Sequence, residues 1–142
     1  MVSVVAQGDP DRQAVLNYRL TVTNLQRMFV VERALGEPKP TTGEVAENVV
    51  GIDVTAKRME NIPEVEAALK ANEISPRDYL LTLMAAGHSV LVISLIERGV
   101  IADTSHPIVR ENVQLWKNLP PEVKPEAEEW KKRRIDPALA ER

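Results

Sequence analysis

Six residues of this sequence form the candidate ligand-binding set: His88, Met84, Tyr18, Phe29, Met28 and Leu91. His88 stands inside the mostly apolar run "LLTLMAAGHSVLVIS", and its imidazole can exchange a proton near neutral pH or ligate a metal. If the run is helical, Met84 lies one turn before His88 and Leu91 about one turn after it, so the three share a stripe. Ala85, Ala86 and Gly87 beside them leave room for a close helix crossing or for a flat ligand.

Two chemistries follow from that arrangement. A b-type haem would use His88 as axial ligand and take a thioether from another helix, Met28, because Met84 lies on the same face as His88. A small cofactor-independent acid/base enzyme would gather His88 and Tyr18 around a pocket. The plainer reading, preferred here, makes His88 a core or half-buried histidine, neutral and hydrogen-bonded to a neighbour. Asp103 and His106 in "DTSHP" invite a metal reading, but Thr104 or Ser105 beside them reads more simply as a helix cap. Glu32 is expected to reach the end of the bundle as an exposed charge paired with Arg33 or a neighbour. No Glu-x-x-His, Gly-rich phosphate loop or Gly-x-Ser-x-Gly occurs, so the usual di-iron, nucleotide and hydrolase signatures are missing.

The elements that must position these residues are helical. Asp9-Pro10 opens a first helix, and Val15, Tyr18, Val22, Leu25 and Phe29 repeat along one stripe toward a stop at Gly36. After the loop "GEPKPTTGE", residues 44–61 read as a helix interrupted at Gly51. Pro63 begins a short helix with Val65, Ala68 and Leu69 as its apolar face. Ser75-Pro76-Arg77-Asp78 is a strong start for the long apolar helix, with Ser75 accepting from the Asp78 N-H and a stop at Gly99. A further helix starts around His106-Pro107 with Val109, Val113 and Trp116 inward. A last one, "KPEAEEWKKRRI", is anchored by Trp130 and Ile135.

Tyr79–Ile96 carries no formal charge, and its length approaches that of a bilayer span. His88, Thr82, Ser89 and Ser94 would all need partners in lipid, and the flanks Arg77-Asp78 and Glu97-Arg98 are charge-balanced. The expectation is a buried central helix and no membrane span.

The chain has 142 residues, a net charge of −3 and no cysteine. That length suits one domain, and the charge offers no footprint for nucleic acid. Absence of cysteine removes disulfides, thiolate metal sites and c-type haem attachment. With five aromatic residues, the core must be mainly aliphatic. Val4 and Ala6 match the spacing of a signal-peptidase site before Gln7-Gly8-Asp9, so export, to a periplasm for example, is favoured over a cytoplasmic location.

"YRLTVTNLQRM", "PEVEAALKANEISPRDYLLTLMA" and "ENVQLW" together resemble a group of small uncharacterised exported bacterial helical proteins. In that group an Arg-Leu-Thr helix precedes a Ser-Pro-Arg-Asp-Tyr helix. The resemblance implies a helical fold and export and no particular reaction; "AAGHSVLVIS" departs from the group's Met/Gln/Ala-rich continuation.

The expectation is therefore an all-α domain over residues 9–135, with an apolar tail at 1–8, a signal-peptide remnant, and a C-terminal tail at 136–142. Its architecture should be an antiparallel bundle of about four principal helices, with a broken second helix and a short C-terminal one. The preferred function is non-enzymatic: a soluble binding or interaction protein with a small apolar ligand or protein partner beside the central helix. Self-association into a homo-oligomer is a further expectation.

Overall fold

The computed structural model describes residues 10–35, 51–100 and 105–135. The 1–9 tail, the loop after Leu35, residues 44–50 of the interrupted helix, Asp103, Thr104 and the 136–142 tail lie outside the described residues. Every regular element among the described residues is a helix. In chain order these are α1 (10–16), α2 (Val22–Leu35), α3 (Gly51–Glu60), α4 (Pro63–Ala71), α5 (Pro76–Glu97), α6 (Pro107–Lys117) and α7 (Lys124–Ile135).

The long apolar helix is the hub. α5 packs against α2, α3, α4, α6 and α7, while α4 also touches α2 and α3. Its start follows from local chemistry: the Ser75 hydroxyl accepts from the Asp78 N-H at 3.0 Å, and Pro76 fills a first-turn position whose N-H would lack a helical partner. Its end does too, because Gly99 takes a left-handed φ of +80° and the Val100 N-H returns to the Leu95 carbonyl at 2.8 Å. By length and composition α5 could cross a membrane, with a mean hydropathy of 1.9 over its most apolar 18 residues; 56% of that window is buried in the fold.

The expected first helix is two helices. Residues 17–21 leave the helix between α1 and α2, and a distant residue explains the break. Asn112 of α6 accepts from the Leu20 N-H at 2.9 Å and donates to the Tyr18 carbonyl at 2.9 Å, replacing helical bonds that the segment gives up. Asn112 is itself buried, so the bridge is made where unpaired backbone would be costly.

A second remote bond starts α3. Gly51 has φ +79°, and the Ile52 N-H donates to the Asp11 carboxylate of α1 at 3.1 Å, so a side chain far away in sequence serves as the cap. α3 begins at Gly51, where the interruption is read, and the residues before it lie outside the described ones. At the front of α6 the N-cap residue is His106, which makes no side-chain capping bond, rather than the expected Ser105; the alternative, Thr104, lies outside the described residues.

Aromatic packing closes the core. Phe29, Trp116 and Trp130, from α2, α6 and α7, form a triangle with centroids 5.5 to 6.4 Å apart, within the range where tilted and edge-to-face pairs attract. The inward faces expected for α6 and for Trp130 are those observed, with Val109, Val113, Trp116 and Trp130 all buried.

Candidate functional site

α5 turns its small residues inward. Thr82, Ala85, Ala86 and Ser89 are buried, so neighbouring helices approach the backbone closely. The larger side chains of the opposite stripe are left outside: Met84 is 46% exposed and Leu91 52%, while His88 is half-buried. The stripe read from the sequence is real, but it forms the outer surface of the central helix.

The six predicted residues are consequently divided. Met28 and Phe29 belong to the sealed core, with exposures of 0% and 2%, whereas Met84, His88 and Leu91 lie on the outer face of α5. A haem held between Met28 and His88 would have to open the packing around a completely buried thioether, so the geometry does not favour that pair. Among the described residues, no group of three His, Asp or Glu side chains is placed to hold a metal ion.

Tyr18 stands in a third place. Its hydroxyl accepts from Asn24 Nδ2 at 3.0 Å and from the Thr82 hydroxyl at 3.3 Å, and donates to Asp78 Oδ1 at 3.3 Å. Burial raises its pKa, aided by Asp78 and opposed by the Thr82 and Asn24 bonds, so the phenol stays neutral. Thr82 and His88 are separated by six residues on α5, about 9 Å along the axis and on different faces. Tyr18 and His88 therefore do not converge on one pocket.

His88 has a lowered pKa, chiefly from burial and further from the positive charge of Arg12 and of His106 when protonated. It is neutral at physiological pH. The Nδ1 of His106 is buried without a hydrogen-bond partner.

Beside the outer stripe lies a cleft of about 130 Å³, lined by Gly87, Leu91, Ser94 and Leu95 of α5, by Arg98 at its end and by Arg134 of α7. Gly87 is its open side: a Cβ placed there would meet nothing within 4 Å. A larger hollow of about 620 Å³, wide open to solvent, runs along α6 past Pro107, Arg110 and Leu115; it contains none of the predicted residues.

Arg134 reaches the cleft from a buried network that sequence reasoning missed. Glu32, expected as an exposed charge, is 5% exposed. It accepts from Trp130 Nε1 at 2.7 Å and from Arg134 Nη2 at 3.1 and 3.2 Å. Arg134 also lies 4.7 Å above the Trp130 ring. Arg33, one of the partners expected for Glu32, instead pairs with Glu126 at 3.2 Å. Burial and the Glu32 charge push the Tyr79 phenol well above its usual range, with Arg134 opposing. A signal was present in the sequence: Glu32 follows Phe29 by one turn, on the side that faces the core.

No family model, curated protein or solved structure matches this chain.

Proposed function

We propose that the protein is a soluble, helical-bundle binding protein whose small apolar ligand docks on the outer face of α5, beside Met84, His88 and Leu91. The observation that carries this reading is the stripe itself. A central helix that contacts five others still presents Met84, Leu91 and Ile96 to solvent, next to a cleft with one wall left open by Gly87. Burying an exposed Leu-sized side chain contributes about 1.5 kcal/mol or more, so two or three such contacts support a weak but specific complex. The role is one of binding, because the polar groups needed for acid/base chemistry are dispersed over separate faces.

Benzyl alcohol, titrated into protein carrying labelled Met and Leu methyl groups, tests the reading. Saturable shifts at Met84 and Leu91 are expected, and Leu91→Gln should weaken them without altering the circular dichroism. Non-saturating shifts, or shifts spread evenly over the surface, would remove the proposal. A second reading, docking of a protein partner or a second copy, is favoured by further exposed apolar side chains at the end of α5, Ile96 and Val100.

A further inference from the structure

We infer that the cleft between α5 and α7 is a carboxylate-reading subsite, in which Arg98 and Arg134 hold the acid group of a small amphiphile whose apolar body lies over Gly87 against Leu91. This rests on the reading of the α5 outer face above and names the ligand class for it.

Charge complementarity is the first argument. Two arginines line one small cleft, and a guanidinium offers planar paired donors that match a carboxylate. Arg134 uses Nη2 to bridge the Glu32 oxygens, and a guanidinium has five N-H donors, so donors remain for a ligand. Glu32 offsets the charge of Arg134, but Arg98 has no ion pair among the described residues. Its neighbour Glu97 is engaged by Lys131 at 3.3 Å. Among the described residues the uncompensated charge at the cleft is therefore positive. The end of α5 contributes only about half a negative charge, less than the full unit on Arg98.

The shape of the cleft sets the rest of the ligand. Val90, Leu91 and Leu95 make its walls apolar, which disfavours a bare inorganic anion. A volume of about 130 Å³ is close to that of an engineered cavity that takes one benzene, so the body has about five or six carbons. Ser94, buried on the same wall, adds a hydroxyl that can donate to the second carboxylate oxygen. A six-carbon monocarboxylate fits charge, length and polarity together.

Hexanoate and its neutral isostere hexanamide, titrated into the full ¹⁵N-labelled chain, distinguish the elements of the proposal. Hexanoate should shift the Gly87 and Ser94 amides saturably and bind about tenfold more tightly than hexanamide, as one charge-assisted contact allows. Arg98→Gln should abolish that preference while leaving hexanamide unchanged. Gly87→Leu, whose Cβ would meet nothing within 4 Å, should obstruct the cleft and abolish binding of both, with circular dichroism reporting an intact fold. Equal binding of hexanoate and hexanamide, or hexanoate binding unaffected by Arg98→Gln, overturns the carboxylate subsite and leaves the apolar reading in place. Failure of hexanoate to shift Gly87, with benzyl alcohol still shifting the Met84 methyl, overturns it in the same way.

Discussion

Asn112 shows how much of this structure depends on single polar side chains. Its amide satisfies both an N-H and a carbonyl of the segment between α1 and α2, and no apolar residue can do so. Asn112→Ala should cost about 2–4 kcal/mol in urea unfolding, because two backbone groups lose their partners. Asn112→Asp keeps the acceptor for Leu20 but sets a buried carboxylate oxygen against the Tyr18 carbonyl, so it should cost at least as much as alanine. His88 supports a prediction of a different kind. Burial, Arg12 and His106 hold its folded pKa below the unfolded value. As pH falls through the unfolded pKa the open chain takes up a proton that the folded chain refuses, so stability declines toward acid. Above that value both states are neutral and the effect vanishes. His88→Gln should flatten this part of the stability profile between about pH 7 and the folded pKa. An unchanged slope would mean that another group produces it.

Helix ends provide the tests at the level of elements. The α4 C-terminus closes with Glu73 in the left-handed region at φ 54° and with the Ile74 N-H on the Leu69 carbonyl at 3.1 Å, a geometry that glycine adopts without steric cost. The side chain of Glu73 contributes only a long, exposed ion pair to Arg27 at 3.8 Å, while its carbonyl still accepts from Arg27. Glu73→Gly should therefore raise stability by about 0.5–1 kcal/mol. Gly51 is the opposite case, since it combines φ +79° with a Cβ position 3.0 Å from Asp11 Oδ2. Gly51→Ala should destabilise by about 1–2 kcal/mol, and Asp11→Ala by about 1 kcal/mol through loss of the α3 cap. Thermal unfolding of the three variants gives both signs in one experiment.

Across the whole molecule, the aromatic triangle and the Glu32 network join α2, α6 and α7 around the hub. Trp130→Phe keeps most of the ring packing but takes one donor from a buried carboxylate, and should cost about 2–3 kcal/mol. The outward stripe of α5 makes the assembly state testable as well. If copies associate through it, sedimentation will show a concentration-dependent dimer that Leu91→Gln returns to monomer. An unchanged dimer in that variant would place the contact elsewhere.

The helical class, the caps at Ser75 and Gly99, and the inward faces of α6 and Trp130 were legible in the sequence, because each depends on residues within a turn or two of one another. Periodicity also found the Met84–His88–Leu91 stripe, but could not say which way it faces. A helix apolar on every side has no preferred face of its own, and packing decided by placing Thr82, Ala85, Ala86 and Ser89 against the neighbours. The same limit hid the break at residues 17–21, the cap from Asp11 and the burial of Glu32. Each is made by a partner remote in the chain, Asn112, Ile52 or the pair Trp130 and Arg134, and a local pattern carries no information about which distant donor will arrive. Helix formation is a short-range choice; the direction in which a helix faces, and so the location of the cleft, is a property of the packed whole.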